Sequence, residues 1–395
     1  MVMFRYRLIG CLALCALLAG TGLSGAQTNA ARGGQSAAAS GEGAKVGRIN
    51  NWTIAIAAGL LEGSFIRFAS ELGKALDDGE NLRILPMVTY GAVENISDLL
   101  YLRGVDIAIT HADVFDLYKK SGEVRNIEQR VNYISQMHNT EFYLLARGDI
   151  KSIQDLAGKK VGFHVKGSGP SVTGPMVFER LGIKVEPVFI NHTFAIERMR
   201  SGDDIAAIFQ LGAKPQDLLI KLKPEPGMHF VPINWGPKFS DYYLPTTLTH
   251  DDYPNLIPPG GSVDTLAVPV VLAVYNWPKN SDRYRRVERF VQYYFERFDK
   301  LKQPTFHPKW KEINLAARVP GWNRYPAAEE ALAVTKEASG GRDAGNTPRQ
   351  ARSNEPAPAR TDASALERSP LFEEFLEWRQ KQQQQQQQQQ KNRRN

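Results

Sequence analysis

The sequence predicts an α/β protein of two domains, each a mostly parallel sheet flanked by helices, joined by two strands around a cleft. Three observations carry this prediction. Short apolar strand patterns alternate with helix-period patterns from Trp52 onward, and the alternation runs twice. Two apolar stretches, residues 142–147 and 266–275, stand where the chain would cross between the repeats. At 395 residues there is room for both domains.

The N-terminus reads as a cleaved signal peptide over residues 1–26. Arg5 and Arg7 precede an apolar stretch at 8–18, and Ser24-Gly25-Ala26 places small residues before a cut after Ala26. The apolar stretch falls short of the roughly 20 residues that a membrane span needs. Leu8-Ile9-Gly10-Cys11 lies ahead of the apolar region rather than behind it, which argues against lipid attachment. The expected location is the periplasm. Both cysteines, Cys11 and Cys15, sit in the signal, so the mature chain is expected to lack thiols, disulfides and Cys metal sites. Net charge is +7, and loss of the two signal arginines leaves +5. The basic residues are dispersed among acids, so no nucleic-acid partner is expected. A monomer is expected.

Along the chain, residues 27–48 are rich in Ala, Gly and Ser and read as a disordered linker. The first domain is assigned to 49–141 plus 270–336. It has strands at 52–56, 82–85 and 106–110, with helices at 64–76 and 93–102 between them, and a further segment at 134–137. The second domain is assigned to 142–269. It has strands at 160–163, 188–190 and 205–209, and helices at 171–181 and 193–200. The run 266–274 has a buried-strand length, and Pro269 argues against a helix there. Residues 281–300 read as a long helix whose Val287, Phe290, Val291, Tyr294, Phe295 and Phe298 would pack back on the first domain.

Composition changes after about Lys336, and residues 337–395 read as a disordered low-complexity tail. Within it, Ser369-Pro370 can start a short amphipathic helix over 371–379, with Leu371, Phe372, Phe375 and Leu376 on one face. Glutamines fill 382–390. The tail is either solvated low complexity or a docking element for a partner.

Open parallel sheets bind ligands at the carboxyl ends of their strands, where helices begin. Three loops occupy such places: 57–65, with Gly59, Gly63, Ser64 and Phe65; 91–95, with Gly91, Glu94 and Asn95; and 166–173, with Gly167, Ser168, Gly169 and Ser171. Glycines let backbone approach a ligand, and helix-start N–H groups favour an anion. Catalytic patterns are missing. The seven histidines, at 111, 138, 164, 192, 229, 250 and 307, show no paired metal spacing, and no nucleophile elbow or phosphate-binding loop is present. His111 with Asp113 and Ser168 is the one set that could assemble a nucleophile and its base; the favoured reading makes His111 a hydrogen-bonding group lining a cleft. No enzyme activity, cofactor or metal is expected.

Six blocks in order resemble the TAXI family, the solute-binding subunits of tripartite (TRAP) transporters. Thr89-Tyr90-Gly91-Ala92-Val93-Glu94-Asn95 is similar to its Thr-x-Gly-Ser-Val-Glu-Asn block. Gly104-Val105-Asp106-Ile107-Ala108-Ile109 with His111-Ala112-Asp113-Val114 resembles its third strand and turn, and Ser152-Ile153-Gln154-Asp155-Leu156-Ala157-Gly158-Lys159-Lys160-Val161 its start of the second domain. Gly167-Ser168-Gly169, Phe209-Gln210-Leu211-Gly212 and Asp264-Thr265-Leu266-Ala267-Val268-Pro269 fall at the remaining family blocks. The resemblance covers residues 51–298. It implies a type II periplasmic-binding-protein clamshell that closes on a small organic anion, a dicarboxylate or acidic amino acid, and delivers it to a TRAP-type membrane permease. A ligand-sensing or envelope-docking subunit is the alternative. The ligand contacts it implies are Ser64, Phe65, Gly91, Asn95, His111, Asp113, Gly167, Ser168, Gly169, Ser171, Phe209 and Gln210. Two departures stand out: Leu60, Leu61 and Glu62 interrupt the glycine-rich first loop, and His111 replaces the usual Gln.

Overall fold

A computed structural model describes residues 41–202, 204–224 and 226–340. The signal peptide, the linker up to residue 40, the short amphipathic helix at 371–379 and the glutamine run lie outside the described residues.

Residues 41–50 belong to a separate unit and form a helix, α1. The linker reading is corrected for 41–48: Glu42, Ala44, Lys45 and Arg48 supply helix-forming positions between the glycines.

The second unit, residues 51 onward, is an α/β structure in which one mixed sheet is flanked by helices. Its elements in order are β1 (Thr53–Ala57), α2 (Ser64–Leu76), β2 (Arg83–Met87), α3 (Ala92–Tyr101), β3 (Ile107–His111), α4 (Ala112–Ser121), α5 (Ile127–Arg130) and β4 (Val131–Ala146). Then come β5 (Lys160–Gly162), α6 (Pro170–Leu181), β6 (Glu186–Val188), α7 (His192–Arg200), β7 (Ile205–Gly212), α8 (Asp217–Ile220), β8 (His229–Phe230) and β9 (Leu244–Thr249). The chain returns through β10 (Ser262–Tyr275) and closes with α9 (Asp282–Glu296), α10 (Phe298–Leu301) and α11 (Pro326–Gly340). Helix α11 carries order past residue 336, where the tail is expected to begin.

The strands form one hydrogen-bonded sheet of order β2-β1-β3-β10-β4-β7-β5-β6, where the sequence predicts two. The cause is β4. Ser135, Gln136, His138, Asn139, Thr140 and Glu141 interrupt its apolar pattern, so residues 134–137 and 142–147 read as separate segments, yet they belong to one 16-residue strand. Its first part pairs with the end of β10, and its last part, Glu141–Ala146, pairs with β7. Within each half the pairing is parallel (β1 with β2 and β3; β5 with β6 and β7), and β4 and β10 run antiparallel to their neighbours.

Helical period dictates what each helix buries. On α2, Phe65, Phe68, Ala69, Leu72, Ala75 and Leu76 face the core. On α9, Tyr284, Val287, Phe290, Val291, Tyr294 and Phe295 do the same, and Ser281 Oγ caps the start by accepting from Tyr284 N (3.1 Å). The helix expected over 281–300 breaks at Arg297, whose Nη1 donates to Leu76 O (2.9 Å).

The segment around Trp310 is fastened by buried charge. Glu71 accepts from Trp310 Nε1 (2.6 Å), from His307 N (3.0 Å) and from Arg67 Nε (3.0 Å). Lys309 Nζ reaches Glu141 of β4 (2.5 Å), both groups being buried. Among the described residues no helix is long and apolar enough to cross a membrane.

Candidate functional site

The alternation of strand and helix brings several helix starts to one place, at the carboxyl ends of β1, β2, β3 and β5. Gly63 and Ser64 of α2, Gly91 and Ala92 of α3, His111 before α4, and Gly169 and Pro170 of α6 all line one cavity. None of these four helices has a side-chain hydrogen bond capping it from its N-cap position. By contrast α7, which lies outside the cavity, is capped by Asn191, whose Oδ1 accepts from Thr193 N (2.8 Å). Helix starts carry partial positive charge, a field that favours an anion, although at α3 the Val93 and Glu94 N–H groups already donate to Gly167 O and α6 begins with Pro170, which has no N–H.

The two walls touch. Gly167 O accepts from Val93 N (3.2 Å) and Glu94 N (3.4 Å). Gly91 adopts φ +128, and a Cβ there would lie 3.2 Å from Ser168 Cα, so glycine is needed both for the turn and for the close approach. Glu62 Oε1, on the rim, accepts from Asn191 Nδ2 (2.8 Å) and lies 4.0 Å from His164 Nε2. The first-loop carboxylate that departs from the family pattern is thus engaged by the opposite wall.

The floor is polar and buried. His111 is 2 % exposed, Thr140 1 % and Gln210 8 %. The Gln210 side chain faces His192, while both ring nitrogens of His111 and Thr140 Oγ1 have no hydrogen-bond partner among the described residues. Such groups are rare in a folded interior and call for a ligand or water. Burial pushes the His111 imidazole down to about 3, so it is neutral at pH 7. Burial also lowers His164, against the raising influence of Glu62. The lining contains no Lys or Arg, and its single carboxylate is Glu62.

Of the twelve residues expected at the site, seven line the cavity: Ser64, Phe65, Gly91, His111, Ser168, Gly169 and Gln210. The other five are placed elsewhere. Asn95 lies behind the wall: its Nδ2 donates to Ala58 O and Ile109 O (2.6 Å each), and its Oδ1 accepts from Thr89 Oγ1 (2.5 Å). It ties the ends of β1 and β3 to α3. Asp113 is buried and accepts from Thr173 Oγ1 (2.5 Å) and Tyr243 Oη (3.0 Å), an anchor between the halves. Burial pushes its carboxyl up, and those two hydrogen bonds oppose the shift. Gly167 contributes its carbonyl to the wall contact, Ser171 Oγ turns back to Ser168 O (2.8 Å), and Phe209 packs in the core against Phe142 and Phe163. Ser168 Oγ donates to Val165 O (2.6 Å), and His111 bonds neither Ser168 nor Asp113, so the three do not assemble as a nucleophile with its base.

The sequence reading missed His164 and Thr140. His164 lies two residues past the end of β5 and holds φ +63, uncommon for a residue with a Cβ; the strand-end rule that selected the other loops also points to it. Thr140 sits inside β4, and nothing in its local pattern marks it.

The profile of a family described as NMT1-like matches residues 56–324. Among solved structures, the chain is similar to an ancestral arginine-binding protein bound to arginine, at 16% identity and TM-score 0.38, covering 66% of this chain and 97% of that one. It is similar to the BenM effector-binding domain with benzoate at 14% identity and TM-score 0.35, covering 65% and 97%. XAC2383 from Xanthomonas citri bound to ATP matches at 10% identity and TM-score 0.38, covering 72% and 98%.

Proposed function

The chain belongs to the NMT1-like family, and from that premise we propose that it is a non-enzymatic periplasmic solute receptor that captures a small organic anion between its two walls. One observation carries the anion: the starts of α2, α3, α4 and α6 converge on a cavity that holds no Lys or Arg and is floored by unpartnered polar groups. The start of α2, which has no acidic residue in its first turn, and the unpartnered floor groups would hold a carboxylate without any basic side chain, and the contacts between the walls would sequester it. The six sequence blocks support a finer reading within the same proposal, a TAXI-type subunit that delivers its solute to a TRAP-type permease.

A thermal-shift screen of the mature protein against carboxylic acids, amino acids, cations and neutral solutes tests the proposal. A specific binder at a hundred times its Kd adds about 2.7 kcal/mol to the folded state and raises Tm. A rise with carboxylates alone is expected. A rise with cationic or neutral solutes and none with any acid would overturn the anion assignment.

A further inference from the structure

The contacts that join the two walls differ in their leverage. Strands β10 and β4 lie at the centre of the sheet and are shared by both halves, so a strand end farther out sits on a longer arm. Asp113 follows β3, the neighbour of β10, and its bonds to Thr173 and Tyr243 act about one strand spacing, ~5 Å, from the shared strands. Glu62 follows β1, two strands out from β10, and Asn191 follows β6, three strands out from β4. Their contact, in which Asn191 Nδ2 donates to Glu62 Oε1 (2.8 Å), therefore acts about two to three spacings out, ~10–14 Å. A rotation of one half against the other separates this pair roughly two to three times as far as it separates Asp113 from its partners.

The outer contacts are of two kinds. At the ends of β2 and β5 the contact is main chain, Val93 N and Glu94 N donating to Gly167 O. Glu62 supplies a side-chain contact. It is the one charged residue of the cavity lining and stands on the loop between β1 and α2. Its partner is held firmly, because Asn191 Oδ1 caps α7 by accepting from Thr193 N (2.8 Å). Glu62 also faces His164 Nε2 at 4.0 Å, and His164 is buried with the His192 ring edge-on to it at 4.4 Å between centroids.

We propose that Glu62 is a latch on the rim of the cavity: by accepting from Asn191 it holds the two walls together, and its release is the step that admits or frees a solute. The strength suits that task. The Glu62 side chain is 49 % exposed, so water competes for its carboxylate, and an exposed contact of this kind shifts the balance between joined and parted walls by up to about fivefold. Such a latch biases the cleft toward closure without sealing it. The contact involves protein groups alone, so the latch goes beyond the receptor reading and does not depend on which solute the cavity takes.

Pulsed electron-spin resonance on the mature chain, recorded without any solute, tests it. Spin labels at Lys74→Cys on α2 and Glu197→Cys on α7 place one exposed reporter on each half. Cys11 and Cys15, the only native cysteines, lie ahead of the cut expected after Ala26. Glu62→Ala should enlarge the longer-distance population by about two- to fivefold. Asn191→Asp keeps an oxygen to cap α7 but sets a like charge against Glu62, and should enlarge that population at least as much. Combining Asn191→Asp with Glu62→Lys restores an attractive pair and should return the distances toward those of the wild type. Distances unchanged in both single variants overturn the latch and leave the main-chain contact as the outer closure. Parted walls in the single variants with no recovery in the charge-swapped pair overturn it as well. Either result leaves the receptor reading to be judged by the thermal-shift screen.

Discussion

Gly169 and His111 are complementary across the cleft: a Cβ built at 169 would lie 2.5 Å from His111 Cε1 and 2.8 Å from its Nδ1. The imidazole fills the volume that glycine leaves, and Phe65 packs against its other side with ring centroids 4.9 Å apart. Gly169→Ala therefore has no cheap way out, because the atom it meets belongs to a buried ring. It should destabilise the protein by about 1–3 kcal/mol in urea unfolding. Combining it with His111→Ala should cost less than the sum of the two single changes. Strict additivity would show that the two residues do not press on each other.

Asn95 should behave as a framework residue. Asn95→Ala strands the carbonyls of Ala58 and Ile109 in the interior, at a cost of about 1–3 kcal/mol. Denaturant midpoints should fall by that amount, while the protein that remains folded binds its solute with unchanged Kd. A weakened Kd at full stability would put Asn95 back on the cavity wall.

Acid should destabilise the fold through its buried imidazoles. The folded pKa of His111 is about 3, below the unfolded value of about 6.5. The unfolded chain therefore binds the proton first, and the stabilisation is complete above pH 6.5 and lost as pH falls toward 3. His138, His192 and His307 are lowered in the same direction by burial. Each such group contributes a slope of about 1.4 kcal/mol per pH unit inside its window. His111→Gln should flatten the stability profile between pH 6 and 4 by about that slope, measured by urea unfolding across pH.

Asp113 titrates in the opposite sense. Its folded pKa is raised by burial, so its contribution is full below the unfolded value of about 3.9 and is lost as pH rises through the folded one. Relative to Asp113→Asn, the wild type should lose stability on going from pH 4 upward. A gap between the two proteins that widens in favour of wild type over that range would contradict the assignment.

The buried pair of Lys309 and Glu141 should be costly to break and cheap to replace. Lys309→Met leaves Glu141 uncompensated and should cost about 3–5 kcal/mol. Adding Glu141→Gln should recover much of that loss in thermal unfolding. A single-variant cost below 1 kcal/mol would place the pair in a wetter setting than its burial indicates.

Much of this architecture could be read from residue order. The βαβα alternation, the loops at strand ends, and His111 and Ser168 follow from period and turn chemistry, whereas Gln210 comes only from the family resemblance. Asn95 shows where such reading stops. A polar residue in the first turn of a helix at a strand end looks the same whether its amide faces the ligand or the carbonyls behind it. The family resemblance places Phe209 at the ligand, yet Gly174 leaves the gap into which the Phe163 and Phe209 rings pack. Thr140 was invisible because β4 carries its polar residues mid-strand, where the pattern suggests a break between two segments.

That unbroken strand has a mechanical consequence. The two halves share β4 and β10 as continuous lengths of sheet, and Pro269, which has no N–H to donate, sits opposite Asn139 where the register slips. Parting the walls must bend these two strands near that weakened rung while the rest of the ladder stays paired.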